Sequence, residues 1–325
     1  MLRIFDRTGT EIIADAASST TSASVPAWYD LLDPTTEEIQ LVETALGIDL
    51  PSRDELEDIE PSSRLYIEND AIYLTASLSY RAESRIPGLT DTGFILVANK
   101  LVTVRHAEPR VFKAFVSHIT KTTVTFDGAA DILLHLLEAI VDRAAELLEG
   151  ASRDVDNVTS IVFKDETDSR PNRATRDLEA RLADVATLHR LVAKVRESLI
   201  SLSRVTAFLQ SQRAIVNTKS LKDKCRSVSR DISSLSEHAG FIANNITFLL
   251  DACLGLISVQ QNSVMKIFSI FAVLLLPPTF IGAVYGMNFD FMPELHWKWG
   301  YPIAVCAMFI SGVVPFLWFR KKGWL

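Results

Sequence analysis

The stretch Tyr285-Gly286-Met287-Asn288 stands between two long apolar runs close to the C-terminus of the chain. The first run covers residues 267–284 and the second covers residues 301–319, and neither contains a charged residue. As a helix, each run is long enough to cross the hydrocarbon core of a bilayer, which is roughly 30 Å thick. We therefore predict two membrane spans joined by a short loop, with the four-residue stretch at the end of the first span.

Charged residues at the ends of these runs predict their orientation. Arg320, Lys321 and Lys322 follow the second run directly, whereas the connecting loop contains a single lysine, Lys298. Because positive charge is retained on the cytoplasmic side of membrane proteins, we predict a multi-pass protein with both termini in the cytoplasm and the loop outside. Aromatic residues typical of bilayer interfaces stand at both ends of the second run and support this arrangement.

Charge, cysteine usage and motif content exclude several classes of function. The net charge of −7 argues against a nucleic-acid partner, which would favour a basic surface. The three cysteines, Cys225, Cys253 and Cys306, lack Cys-x-x-Cys spacing, so neither a disulfide framework nor a zinc site is expected. Because the sequence contains no Walker-type phosphate loop and no His-x-x-x-His pair, we expect neither an enzyme nor an organic cofactor.

The N-terminal 125 residues mix short strand and helix signals. Gly47 is placed to end one helix, and Ser52 with Glu55 has the spacing of a capping box at the start of the next. Asn69-Asp70 is typical of a hairpin turn between two strands. Strands are predicted at residues 28–32, 63–68, 71–80, 94–98 and 101–105.

After residue 129 the periodicity is helical only. Two helices separated by a break at residues 165–172 are predicted to form a long antiparallel hairpin. The next helix repeats apolar residues at steps of four and three from Leu221 to Leu256, which is a heptad pattern. No proline interrupts this helix before Pro277, so we predict that it continues into the first span as a rod of about 100 Å.

The expected fold class is an α+β cytoplasmic domain followed by long α-helices and two transmembrane helices, with a stalk helix continuous with the first span. Seven segments are predicted on this basis. They are a cytoplasmic α/β domain at 1–125, a helical hairpin at 126–216, a cytoplasmic stalk at 217–263, a first span at 264–288, an external loop at 289–300, a second span at 301–319 and a basic cytoplasmic tail at 320–325.

One face of the stalk and first span carries polar or small residues. Two spans cannot enclose a pore, so several copies of the chain would have to contribute this face to a shared axis. The face is polar at its ends and apolar in its middle, as a water-filled funnel with a dewetting gate requires. The alternative is that the small residues only allow close helix packing, although Asp251, Asn262 and Thr279 suit lipid poorly. The predicted pore-lining residues are Asp251, Ser258, Asn262, Met265, Ser269, Ala272, Leu276, Thr279 and Ala283.

Asn288 is the candidate for ion selection. A small hard cation holds its waters tightly, and a ring of neutral carboxamide oxygens can accept hydrogen bonds from those waters without removing them. Gly286 would allow the backbone to turn and approach closely, and Met287 is expected to pack and hold the turn. The alternative is that Asn288 is an ordinary C-cap of a helix.

Three motifs together resemble the CorA family of divalent-cation channels. Gly-Met-Asn ends the first of two terminal spans, Met-Pro-Glu-Leu follows at residues 292–295, and Pro-Ser-Ser-Arg-Leu-Tyr stands at residues 61–66. The resemblance covers most of the chain. It implies a homo-oligomer, a pentamer in that family, which sits in the cell inner membrane and conducts Mg²⁺, and also Co²⁺ and Ni²⁺, passively.

The resemblance also implies roles for individual residues. Gly286, Met287 and Asn288 would form the selectivity filter, and the acid at Asp251 and the amide at Asn262 match pore-facing positions of the family. Mg²⁺ would also be a regulatory ion, sensed by carboxylates between neighbouring cytoplasmic domains. No motif identifies the sensing residues, and Asp223 and Asp231 of the stalk are the candidates.

The acids of the connecting loop have two interpretations. Asp290 and Glu294 would attract cations to the outer mouth of a pore by their charge. They are equally well explained as solvated loop residues. The resemblance implies a helper role for such an acid.

Two alternative functions remain open. The zinc-transporting branch of the same family shares the fold but often replaces the methionine of the motif and lacks Met-Pro-Glu-Leu. A membrane-anchored coiled-coil scaffold that conducts nothing would account for the heptads, but it would leave the polar face and Asn288 unexplained.

Overall fold

The computed structural model describes residues 1–12, 25–58, 60–82, 84, 86–122, 124–164, 171–288 and 292–324. The chain divides into two compact units. The first consists of residues 1–168 and 179–250, and the second consists of residues 169–178 and 251–325.

A seven-stranded mixed sheet forms the centre of the first unit, within the described residues. The strands have the spatial order β2-β1-β3-β7-β6-β5-β4, and all neighbours are antiparallel except the parallel pair β3–β7. Their bounds are β1 Leu2–Asp6, β2 Glu11–Ile12, β3 Pro26–Leu32, β4 Leu65–Glu68, β5 Ala71–Tyr80, β6 Gly88–Val97 and β7 Lys100–Arg105.

Nine α-helices and one 3₁₀ turn are described. The helices are α1 Thr36–Leu46, α2 Arg53–Glu57, α3 Pro61–Arg64, α4 Arg110–Lys121, α5 Ala129–Lys164, α6 Pro171–Leu209, α7 Arg213–Val216, α8 Lys219–Tyr285 and α9 Gly300–Lys321, and the 3₁₀ turn is Pro293–His296.

Local signals at the ends of these elements are confirmed. The Ser52 hydroxyl accepts a hydrogen bond from the Glu55 amide, and the Glu55 carboxylate accepts one in return, which completes the capping box of α2. Gly47 ends α1 in the left-handed conformation, with φ of 66°. Asn69 and Asp70 both have positive φ, as the hairpin turn between β4 and β5 requires.

Two strand starts were predicted wrongly. Residues 63 and 64 were assigned to a strand, but they belong to the helical turn α3, because Pro61 supplies the fixed φ that suits the first position of a helix. Strand β6 begins at Gly88, six residues before the predicted start at Phe94. Its first half pairs with the far end of β5, and this long register cannot be inferred from the local pattern.

A buried ion pair stabilises the parallel strands β3 and β7. The Arg105 guanidinium donates to the Asp30 carboxylate from Nη2 at 2.7 Å and from Nε at 3.1 Å. The Thr103 hydroxyl also donates to Asp30 and accepts from the Trp28 indole, and the Phe112 ring lies 4.4 Å from the guanidinium carbon. The charges are therefore fully hydrogen-bonded, as burial requires.

The heptad residues of α8 are buried inside the first unit. Cys225, Ile232, Ala239 and Ile246 each have no exposed surface. Helix α8 contacts α6 and α5 here. The Cys225 thiol approaches the Thr206 carbonyl of α6 at 3.8 Å, and the preceding residue, Lys224, pairs with Glu138 of α5 at 3.4 Å. The heptad pattern therefore packs within one chain.

Helix α8 is unbroken over 67 residues, as the sequence predicted, and at 1.5 Å per residue it is about 100 Å long. Pro277 and Pro278 lie inside it. Proline lacks an amide hydrogen, so Pro278 leaves the Leu274 carbonyl without its helical donor. That carbonyl faces Gly312 of α9, where an added Cβ would lie 3.6 Å from the oxygen. A neighbouring helix therefore covers the freed carbonyl, as expected.

The apolar parts of α8 and α9 are long enough to cross a membrane and are almost unburied within the chain. Only 6% of the most apolar window of α8 and 11% of that of α9 is buried. A core helix of a soluble protein would be mostly buried, so these surfaces fit a lipid environment or other copies of the chain.

Candidate functional site

The predicted pore-lining residues all lie on one exposed face of α8. Leu274, Pro278 and Gly282 form the opposite face, which approaches α9 at Gly312 and Met308. The exposed face includes the large apolar residues Met265 and Leu276 and therefore lacks a partner within the described part of the chain. All nine positions are exposed, as is Gly286 at the end of the face; the nine are Asp251, Ser258, Asn262, Met265, Ser269, Ala272, Leu276, Thr279 and Ala283.

The polar members of this face differ in how they are satisfied. The Ser269 hydroxyl donates to the Met265 carbonyl at 2.8 Å, and the Thr279 hydroxyl donates to the Leu275 carbonyl at 2.7 Å. These hydroxyls are satisfied by their own helix, so Thr279 does not by itself require water. Asp251 and Asn262 have no such partner among the described residues, and their polar groups need water or an ion.

The turn after α8 is tight at Gly286. The Gly286 amide donates to the Gly282 carbonyl at 3.0 Å, and the Met287 amide donates to the Val284 carbonyl at 3.3 Å. A Cβ at Gly286 would lie only 3.2 Å from the Gly282 carbonyl oxygen, which is closer than side-chain carbons normally come. Glycine at this position is therefore explained by the close approach of the backbone.

Asn288 is exposed and does not cap the helix. An asparagine at the C-terminal cap of a helix adopts a positive φ. Asn288 is a described residue and does not have a positive φ. Its side chain makes no hydrogen bond to another described residue, so the carboxamide is free to accept from a ligand. Met287 was expected to pack, but 46% of its surface is exposed in the single chain. The structure thus gives Met287 no packing role within one chain.

The loop acids are only partly described. Asp290 lies outside the described residues. Glu294 belongs to the 3₁₀ turn Pro293–His296, and only its backbone is described. Their predicted attraction of cations stays a prediction.

The two candidate sensing residues, Asp223 and Asp231, are both exposed on α8. They stand eight residues apart, or about 12 Å along the helix, and therefore cannot bind one ion together. No group of three or more metal-binding side chains occurs within the part of the chain that the structure describes.

The sequence analysis missed three acids of α5, one of which, Asp142, lies close enough to Asp231 for the two charges to interact. Glu138, Asp142 and Glu146 recur every four residues along α5, and this spacing was the available signal. The pKa of Asp142 is raised above its ordinary value, chiefly because burial removes part of the hydration of its carboxylate. The negative charges of Glu138, Asp231 and Glu146 raise it further. Lys224 pairs with Glu138 and Arg143 pairs with Glu146, whereas Asp142 and Asp231 form no ion pair with another described residue.

The acids of α2 have structural roles. Glu55 completes the capping box, and Glu57 pairs with Arg53 at 3.0 Å. The Asp58 carbonyl accepts from Arg64 at 2.6 Å. Glu55 and Glu57 are therefore explained by the local structure of α2.

Cys225 is explained by packing. All three are free, and Cys225 and Cys253 are buried. Burial raises the pKa of the Cys225 thiol to about 11, so that it stays protonated at neutral pH. A thiol needs to lose its proton to bind a metal, and Cys225 is therefore a packing residue.

Residues 24–321 match the family described as CorA-like Mg²⁺ transporter protein. The chain belongs to this family. It is 32% identical over 305 residues to the magnesium transport protein CorA of Haemophilus influenzae, and the match covers 94% of each chain. It is 30% identical over 298 residues to the protein of the same name from Escherichia coli K12, with 92% of each chain covered.

Solved structures share the fold at lower identity. The complete CorA magnesium transporter of Methanocaldococcus jannaschii matches with a TM-score of 0.79 and 19% identity, covering 100% of this chain and 99% of that one. The full-length CmaX protein matches with a TM-score of 0.71, 16% identity and coverage of 98% and 96%. These likenesses confirm the predicted fold class, and family membership confirms that the protein is a transporter-type membrane protein and no enzyme.

Proposed function

We propose that the protein is a passive divalent-cation channel that transports Mg²⁺ through the axis of a homo-oligomer, a pentamer. Relatives at 30–32% identity over more than nine-tenths of the chain are named magnesium transport proteins, which supports Mg²⁺ as the transported ion. Residues 217–263 serve as a cytoplasmic stalk and residues 264–288 serve as the first span and its terminal turn, and α8 provides most of both segments. The exposed face from Asp251 to Ala283 lines the pore.

The observation that carries this proposal is the free carboxamide of Asn288 at the end of an unbroken, polar-faced helix. Gly286, Met287 and Asn288 form the selectivity filter, and five copies provide a ring of neutral acceptors. Because Mg²⁺ releases its waters reluctantly, such a ring recognises the hydrated ion. Asp290 and Glu294 concentrate cations outside the ring.

The membrane potential drives the transport. One charge crossing a potential of 100 mV releases about 2.3 kcal/mol, so a divalent ion releases about twice as much. No nucleotide is needed, and Co²⁺ and Ni²⁺ pass as surrogates. The protein lies in the cell inner membrane with both termini in the cytoplasm, an arrangement that the basic residues after α9 support.

Intracellular Mg²⁺ closes the channel in this proposal. Asp142 and Asp231, which form no ion pair with another described residue, support a site on the stalk that acids of a neighbouring copy would complete, and Asp223 provides a second such position. Bound Mg²⁺ holds neighbouring stalks together, and its loss leaves like charges that repel each other.

Neither alternative function is as well supported. A coiled-coil scaffold would need its heptad residues for a partner, whereas residues such as Cys225 and Ile232 are already buried within the chain. The zinc-transporter alternative is supported by a shared fold alone. The ZntB cytoplasmic domain of Vibrio parahaemolyticus matches with a TM-score of 0.50 and 11% identity, over 79% of this chain and 98% of that one.

Ion uptake into liposomes that contain the purified full-length protein tests the proposal. With an inside-negative potential, we expect uptake of Mg²⁺, Co²⁺ and Ni²⁺ without added nucleotide. Uptake of Zn²⁺ in preference to Mg²⁺ would favour the zinc transporter, and no uptake of any divalent ion by a correctly assembled oligomer would contradict the channel.

A further inference from the structure

The chain after α9 turns back on the helix in a Schellman motif. Gly323 has φ of 70°, its amide donates to the Arg320 carbonyl, and the Trp324 amide donates to the Phe319 carbonyl at 3.0 Å. These are the two bonds that define the motif, and glycine is favoured at its left-handed position. The motif fixes Trp324 over the last turn of α9.

Trp324 connects the end of α9 to the start of the α8 span. Its ring stacks on Phe319 with centroids 5.5 Å apart and lies near Trp318 at 6.4 Å. The Lys266 ammonium of α8 lies 5.2 Å from the centre of the Trp324 ring, and the Lys322 ammonium lies 5.7 Å from that of Trp318. We call Lys266, Trp318, Phe319, Lys322 and Trp324 the tail clamp.

The positive charges of the tail clamp are not neutralised. Neither lysine, nor the neighbouring Arg320 and Lys321, forms an ion pair with any described residue. Residues 252–289 and 295–325 contain no aspartate or glutamate. An aromatic ring attracts an ammonium group through its quadrupole but carries no net charge. Each lysine is therefore positioned by a ring, and its positive charge can still bind an anion.

The tail clamp lies at one end of both apolar spans, where charged residues begin. Lys266 directly precedes the span at residues 267–284, and Arg320 directly follows the span at residues 301–319. Tryptophan and lysine at this level meet the phosphates of a leaflet. We propose that the tail clamp is a binding site for the headgroup of an anionic phospholipid. Lys266 and Lys322 contact the phosphate, and the exposed faces of Trp318 and Trp324 contact the upper acyl chain. A zwitterionic headgroup is disfavoured because Lys266 and Lys322 repel its positively charged ammonium group.

Retention of phosphatidylglycerol by the purified full-length oligomer, measured by native mass spectrometry, tests the site. A lysine near anionic lipid contributes a factor of about five in affinity, so Lys266→Gln with Lys322→Gln should weaken binding about 25-fold. The matched control is Lys298→Gln in the connecting loop, which should bind as the wild type does. The measurement needs no ion gradient, so its failure is distinct from a failure of Mg²⁺ transport.

A second variant separates a built site from diffuse attraction. Trp324→Ala keeps every positive charge but removes the ring that positions Lys266, and we expect several-fold weaker retention. The conservative double variant Lys266→Arg with Lys322→Arg should retain the lipid. Equal retention of phosphatidylglycerol and phosphatidylcholine by the wild type, or wild-type retention by Trp324→Ala, would overturn the proposal.

Discussion

At the scale of single residues, the exposed and uncapped carboxamide of Asn288 is the feature on which ion selection depends. Asn288→Ala removes the acceptor oxygens and leaves the backbone turn at Gly286 unchanged. We expect Mg²⁺ flux into liposomes to fall at least tenfold while the oligomer stays assembled. Asn217→Ala, an exposed asparagine at the end of α7, is the matched control. Wild-type flux in an assembled Asn288→Ala oligomer would rule out the filter.

Asp142 gives a prediction about pH. Its pKa is raised, so the folded state binds protons more tightly than the unfolded state, and the charged carboxylate opposes folding above its ordinary pKa of 3.8. Asp142→Asn should therefore raise Tm slightly at pH 7 in EDTA, and the gain should disappear as the pH falls towards 4. Thermal unfolding at several pH values measures this, with Asp156→Asn on the same helix as the control. A gain independent of pH would show that the charge of the Asp142 carboxylate does not oppose folding.

Some residue roles could be predicted from sequence and others could not. The capping box of Ser52 and Glu55 involves residues three positions apart, so the local pattern contains all the needed information. The buried pair of Asp30 and Arg105 joins residues 75 positions apart through the parallel strands β3 and β7, which no local signal predicts. Asp142 was missed for the same reason, since its environment depends on the packing of α5 near Asp231.

At the scale of elements, α8 was predicted well because a long heptad repeat without proline is an extended signal. The burial of that repeat by the chain's own helices could not be inferred, because a heptad pattern does not say which partner it meets. The α3 turn at Pro61–Arg64 was missed because four residues are too few to show a period.

The orientation of α8 and α9 can be measured by thiol labelling. In a variant with Cys225, Cys253 and Cys306 replaced by alanine, Lys298→Cys should react with an impermeant reagent added outside intact cells. Lys321→Cys should react only after the membrane is opened, because basic residues stay in the cytoplasm. The reverse pattern would overturn the topology, and a cysteine-free parent protein controls for background labelling.

At the scale of the whole molecule, Mg²⁺ sensing is expected to be cooperative, because several identical sites act on one shared pore. Replacing Asp223 and Asp231 by asparagine removes two of the three carboxylates proposed to bind the ion and leaves Asp142 in place. Closure should then need severalfold more internal Mg²⁺, as measured by flux at a series of internal concentrations.

Glu237→Gln is the matched control for that experiment, since Glu237 is another exposed acid of α8. Its closure curve should coincide with that of the wild type. If the double variant also gave the wild-type curve, Asp223 and Asp231 would not be sensors. A wild type that is indifferent to internal Mg²⁺ would contradict regulation by the transported ion.

The contact between the Leu274 carbonyl and Gly312 has a consequence for biosynthesis. During translation the α8 segment emerges from the ribosome before α9 does, and its prolines then leave carbonyl oxygens without donors. Hydrocarbon cannot satisfy such groups, so the first segment is poorly suited to partition alone into the bilayer. The two segments should therefore leave the translocon together, as a pair in which α9 shields the Leu274 carbonyl from lipid.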